Sequence, residues 1–305
     1  MLSSVRAVHD ACSVLVLLAA ALLACILPSP APAADLGPVG APGVALPGKF
    51  VWFELVTDDM PTAQGFYRAV FGWTFSAVPG APDAYTLAEN AGEKVAGLFR
   101  HAPPPGVARS ARWLTLVSVP DVAAAARYAT AHGGAVVSPP ATVAGSGTRA
   151  LLRDPGGAVF GVLRAPQGDP PDTPVPDGEF FWADLLTRDP PAAAQFYQGL
   201  AGYEVSQRES DLGFTRLVLQ SQGYARAGIV PLPQPVKQEG WLPYVLVSDV
   251  PGTLARVKAA GGKVLVEPEA RLLDGNVAVL ADPLGGVLGI VNWDAAPRDD
   301  VERAR

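Results

Sequence analysis

The chain has 305 residues, enough for two domains of ordinary size and too many for one small one. Apolar residues make up 49% and charged ones 17%, so a core can form and global disorder is excluded despite 32 Gly and 31 Pro. A net charge of −6, with no clustered Lys or Arg, argues against a nucleic-acid partner.

Residues 13–27, SVLVLLAAALLACIL, form an apolar run preceded by Arg6 and followed by Pro-Ser-Pro. The run is shorter than the roughly 20 apolar residues that span a bilayer and has the size of a signal-peptide core. Residues 1–24 therefore read as a signal peptide, directing export from a bacterial cytoplasm. Leu22-Leu23-Ala24-Cys25 resembles a lipobox, which would lipidate Cys25 and make the protein a membrane-anchored lipoprotein. Cleavage after Ala31-Pro32-Ala33 would instead release a secreted or periplasmic protein, and an uncleaved anchor is the third alternative. A membrane partner is expected only through a lipid on Cys25. Beyond Cys25 the chain has no cysteine, so the folded part holds no disulfide, thiolate nucleophile or Cys-ligated metal. Residues 25–48 are rich in Pro, Ala and Gly and read as a tether.

An internal duplication follows. WFELVTDDMPTAQGFYRAVFGW (52–73) repeats as WADLLTRDPPAAAQFYQGLAGY (182–203), and DPGGAVFGV (154–162) repeats as DPLGGVLGI (282–290). Asp121-Val122 with Gly133-Gly134 likewise returns as Asp249-Val250 with Gly261-Gly262. In the first copy, residues 50–56 read as a strand, Asp59-to-Gly72 as a helix, and 73–78, 84–89 and 94–100 as strands. A second set spans 112–163, with its helix at 121–132 closed by glycine. Each copy is thus two βαβββ modules, and the fold class is α+β. The domains cover 49–165 and 178–293, a Pro-rich linker lies between them, and 294–305 is a charged tail. Asp59 and Asp189 read as helix N-caps, Asp154 and Asp282 as turn residues, and Phe66-Tyr67 and Phe196-Tyr197 as core.

The strand–Asp–helix–Phe-Tyr–Gly block, the Asp-Val…Gly-Gly helices and the Asp-Pro-x-Gly turns resemble the vicinal-oxygen-chelate superfamily. That superfamily includes glyoxalase I, bleomycin-resistance proteins and extradiol dioxygenases. The resemblance implies paired βαβββ modules curled around a cleft and, in the enzymes, a divalent metal held by His, Gln or Glu at four inward strand positions. Here those positions carry Trp52, Leu114, Gly97 and Gly161 in the first copy, and Trp182, Leu242, Gly228 and Gly289 in the second. None of these side chains offers a lone pair suited to a cation. The three histidines, His9, His101 and His132, supply no substitute, so no metal and no cofactor are expected.

Glycine at cleft-facing positions leaves room that an indole could fill as core or flank as the wall of an apolar pocket. Strand alternation puts Glu54 beside Trp52 and Asp184 beside Trp182. Each carboxylate reads either as a metal-free base or as one half of a structural ion pair. Arg226 has the parity to face Asp184, and Tyr244 the orientation to meet a ligand oxygen. Three functions follow. The first is metal-independent binding of a small apolar or aromatic ligand at these positions. The second is a lyase, isomerase or dioxygenase, working metal-free through Glu54 or Asp184 or with metal ligands elsewhere. The third is a structural role with both clefts closed. A monomer with an internal pseudo-dimer is expected.

Overall fold

A computed structural model of the protein describes residues 44–78, 84–101, 110–143, 145–210 and 212–293. The signal segment, Cys25, the first part of the tether and the tail lie outside these residues. The first domain runs β1 (Phe50–Thr57), α1 (Met60–Phe71), β2 (Thr74–Ala77), β3 (Tyr85–Asn90), β4 (Glu93–Arg100), β5 (Ala111–Ser118), α2 (Val122–Ala131), β6 (Ala135–Val143), β7 (Gly147–Arg153) and β8 (Val159–Arg164). The second repeats it: β9 (Phe180–Thr187), α3 (Pro190–Ala201), β10 (Glu204–Glu209), β11 (Thr215–Ser221), β12 (Tyr224–Pro231), β13 (Gly240–Leu246), α4 (Val250–Ala259), β14 (Lys263–Val266), β15 (Val277–Ala281) and β16 (Val287–Val291).

The helices begin and end where the local chemistry sets them. Asp59 accepts from the Thr62 amide at 3.1 Å and Asp189 from that of Ala192 at 3.1 Å, satisfying donors that have no intrahelical partner. Gly72 and Gly202 end these helices in the left-handed region, at φ 77° and 74°, where a β-carbon would be strained.

Each domain is one eight-stranded sheet, ordered β2-β3-β4-β1-β5-β8-β7-β6 and β10-β11-β12-β9-β13-β16-β15-β14. The two modules of a domain join through antiparallel pairing of β1 with β5 and of β9 with β13. Helices cover one face of each sheet, and these helical faces meet: α1 packs against α4, and α2 against α3. Two apolar cores result, each shared between the domains. One joins Phe53, Leu55, Tyr67 and Trp73 to Val245, Leu280 and Ile290; the other joins Val122, Leu152 and Phe160 to Leu185, Tyr197 and Leu219. Phe50 lies 4.8 Å from Trp241 between ring centroids, and Phe180 lies 5.0 Å from Trp113, which extends the pseudo-twofold relation to the crossing strands.

The segment between the domains is pinned rather than loose. Buried Asp169 accepts from Ser118 Oγ at 2.6 Å, and Asp172 pairs with Lys49 at 2.9 Å and with Arg226 at 2.6 Å. Trp73 Nε1 donates to the Gly178 carbonyl at 2.8 Å. With the helical faces sealed together, the opposite face of each sheet is left to form a cleft.

Candidate functional site

Alternation along β1 sends Phe53 and Leu55 to the helices and Trp52 and Glu54 to the cleft. Glu54 stands opposite Gly97 on β4 and Leu114 on β5. It is 2% exposed, and Trp52 is 5% exposed. Tyr85, from β3, lies across Gly97 so closely that any β-carbon there would collide with its hydroxyl. That hydroxyl donates to Glu54 Oε1 at 2.9 Å and accepts from Trp52 Nε1 at 3.1 Å. Arg149 Nη1, from β7, donates to the same carboxylate oxygen at 2.5 Å. Burial, followed by the Glu54 charge, raises the Tyr85 pKa well above that of a free phenol, so it remains a donor. Leu116 occupies the space over Gly161. The room that the glycines leave is therefore taken by neighbouring side chains, and the centre of the first cleft is solid.

The second cleft keeps a tryptophan and a carboxylate on the equivalent strand, β9, but draws its arginine and tyrosine from different strands. Asp184 stands opposite Gly228 and Leu242. Its Oδ1 accepts from Trp182 Nε1 at 2.8 Å, and its Oδ2 from Arg216 Nη2 on β11. Tyr244 is half-buried with its hydroxyl against Asp184; desolvation, then the Asp184 charge, pushes its pKa far above the usual phenol value. Its ring fills the space over Gly289. Arg216 stands where Tyr85 stands in the first domain, since Leu87 pairs with Gly97 as Val218 pairs with Gly228. Tyr244 replaces Leu116. Val277 replaces Arg149, because Leu151 pairs with Gly161 as Val279 pairs with Gly289.

The exchange opens the second cleft. A cavity of about 400 Å³ lies over Asp184, Arg216 and Tyr244, within the range of about 300–1,000 Å³ usual for small-molecule sites. Phe181, Trp182, Phe214 and Trp293 supply aromatic wall, and Val277 leaves the space that a longer side chain would fill. Leu272 and Leu273 border it from the β14–β15 connection, where Leu273 and Asp274 have φ of 47° and 53°.

Arg226 does not meet Asp184. Ala227 pairs with Leu219 while Ala225 pairs with Gln220, which makes Arg226 the extra residue of a β-bulge on β12. A bulge breaks the alternation on which the expected orientation rested and re-aims the side chain. Arg226 instead binds Asp172 through both Nη1 and Nη2, at 2.6 and 3.0 Å, and Ser221 Oγ at 3.1 Å. Arg216 was readable in principle: it precedes Gly228 by the same interval at which Tyr85 precedes Gly97. Tyr85 and Arg149 escaped notice because a single sequence does not say which distant strand reaches a given carboxylate.

Among the described residues, no three His, Cys, Asp or Glu side chains gather into a set that could hold a metal ion. Each cleft centre offers one carboxylate, already bound to an arginine, beside Trp, Leu and Gly. That donor set does not fit a divalent cation.

The Glyoxalase/Bleomycin resistance protein/Dioxygenase superfamily matches residues 49–162, and the Glyoxalase-like domain family matches residues 181–291. CFP32 of Mycobacterium tuberculosis (strain CDC 1551 / Oshkosh), which bears a provisional glyoxylase name, is 32% identical over 79% of this chain and 93% of its own length. Anthracycline biosynthesis protein DnrV of Streptomyces peucetius is 29% identical over 80% of this chain and 93% of its own length. Among solved structures, the Mn(II)-bound glyoxalase of Novosphingobium aromaticivorans shares the fold at TM-score 0.56 and 18% identity, covering 83% of this chain and 87% of that one. Homoprotocatechuate 2,3-dioxygenase of Brevibacterium fuscum does so at 0.56 and 15%, covering 84% of each. The chain belongs to the glyoxalase/bleomycin resistance protein/dioxygenase superfamily, as a member with two tandem glyoxalase-like domains.

Proposed function

We propose that the second domain binds a small apolar or aromatic ligand without a metal, and that the first domain is its filled counterpart. The observation that carries this reading is the cavity over Asp184, walled by Trp182, Phe214 and Trp293. An apolar cavity with a few convergent polar groups is the usual form of a small-molecule site. The name of the Streptomyces relative, anthracycline biosynthesis protein, is compatible with an aromatic ligand. A base role for Glu54 or Asp184 is disfavoured, because both carboxylates already accept hydrogen bonds from an arginine and a second donor. The test is titration of the chelator-treated full chain with N-phenyl-1-naphthylamine, an uncharged probe that brightens in apolar surroundings. Saturable enhancement that Val218→Trp abolishes supports the reading; enhancement that survives Val218→Trp, or none at all, refutes it.

The apolar run 13–27 behind Arg6 supports export, with Cys25 as lipid acceptor. Fractionation of a bacterial host should then find the chain in the membrane and Cys25→Ala in the soluble exported fraction. Retention of both in the cytoplasm would refute export.

A further inference from the structure

We infer that the ligand of the second cleft is an aromatic carboxylic acid whose carboxylate is received by Arg216. This rests on the cavity reading above and narrows its ligand class. The ion pair at the floor of the cavity is asymmetric. The Arg216 side chain is 31% exposed and that of Asp184 only 3%, so the cation faces the cavity and the carboxylate lies behind it. Both Asp184 oxygens are engaged, Oδ1 by Trp182 and Oδ2 by Arg216. The carboxylate is thus shielded from an incoming anion and closed to an incoming cation.

Arg216 has binding capacity left. Within the described residues its hydrogen bond runs from Nη2 alone, and its buried Nε has no partner. A guanidinium carries five N–H donors in a planar fork that matches a carboxylate, and the donors on the exposed part of the Arg216 fork are open to a ligand acceptor. The Arg216 guanidinium lies 5.9 Å from the Trp182 ring, which places the cationic floor beside an aromatic wall.

The experiment is calorimetric titration of the metal-free full chain with 1-naphthoate, 1-naphthalenemethanol and 1-naphthylmethylammonium, which share an aromatic frame and differ in charge. The expected result is naphthoate at least tenfold tighter than the alcohol, with the ammonium weakest. Raised NaCl should weaken naphthoate and leave the alcohol unchanged. The double substitution Asp184→Asn with Arg216→Gln, which keeps a hydrogen-bonding pair without its charges, should bring naphthoate to the affinity of the alcohol. Equal wild-type affinities for acid and alcohol overturn the carboxylate inference and leave the cavity reading standing. Failure of all three probes overturns both. The salt comparison uses only wild-type protein and decides the question whether or not the double variant folds.

Discussion

Tyr67 and Asp282 stand 215 residues apart in the chain, yet the Tyr67 hydroxyl donates to Asp282 Oδ2 at 2.8 Å. The relation is reciprocated: Tyr197 donates to Asp154 Oδ2 at 3.0 Å. Each tyrosine also accepts from an indole, Trp113 to Tyr67 and Trp241 to Tyr197, both at 2.9 Å. The duplicated chain thus closes on itself through two equivalent polar triads at the core between the helical faces, and every member is buried.

Removing the hydroxyl should strand its partners. Tyr67→Phe leaves Asp282 Oδ2 without its donor and Trp113 Nε1 without its acceptor, and a buried polar group left unpaired costs about 1–3 kcal/mol. Urea unfolding should register a loss of that order for Tyr67→Phe and a similar one for Tyr197→Phe. A loss near zero in both would mean the triads contribute nothing to joining the domains.

The same triads set a pH dependence. Burial raises the pKa of Asp154 and of Asp282 above the ordinary carboxylate value, against opposing hydrogen bonds from backbone amides and tyrosine. A carboxyl with a raised folded pKa disfavours folding where it must ionise, above that pKa, and the penalty disappears below the unfolded pKa. Wild type should therefore gain stability relative to Asp282→Asn as pH falls from 7 towards 4. Equilibrium unfolding of the two proteins across that range measures the difference; a constant or shrinking advantage would contradict the assignment.

Glycine at the cleft floor is required by what lies on it. A β-carbon at Gly97 meets the Tyr85 hydroxyl, and one at Gly289 meets the Tyr244 ring. Gly97→Ala should cost about 1–3 kcal/mol by overpacking and leave probe binding in the second domain unchanged. Gly289→Ala should push Tyr244 towards the cavity and weaken N-phenyl-1-naphthylamine severalfold. Thermal unfolding and probe fluorescence on both variants separate the two effects.

Arg226 and Arg216 should separate just as cleanly. Burial raises the Asp172 pKa, but Arg226 and Lys49 outweigh it and hold the carboxyl below its usual range. The stability this contributes is present above the unfolded carboxylate pKa and is lost as pH falls through the depressed one. Arg226→Met should cost about 1–3 kcal/mol at pH 7, less in acid, and leave naphthoate affinity unchanged. A fall in naphthoate affinity matching that of the charge-removed Asp184/Arg216 pair would place Arg226 back at the cleft.

Much of the architecture was legible because its signals are local. Asp59 and Gly72 bracket a helix within one stretch of sequence, and the repeat of 52–73 at 182–203 exposes the duplication directly. The positions Trp52, Gly97, Leu114 and Gly161 came from the family resemblance, and alternation added only that Glu54 shares the face of Trp52. What escaped depends on distant pairing. Tyr85 and Arg149 reach Glu54 from different strands, and the Arg226 bulge inverts an orientation that strict alternation predicts. Asp154 and Asp282 do form the expected turns, accepting from Ala158 and Gly286 amides at 2.8 Å each, but their second oxygens reach the other domain. No turn motif carries that information. Nor does composition say that one cleft is filled and the other open, since the difference lies in Val277 standing where the first domain has Arg149.

The most direct measurement is the number of N-phenyl-1-naphthylamine sites per chain, read by calorimetry on chelator-treated protein with and without added Mn(II). One site is predicted, abolished by Val218→Trp and indifferent to the cation. Two sites, no site, or a site that forms only when Mn(II) is present would contradict a single, metal-independent cleft in the second domain.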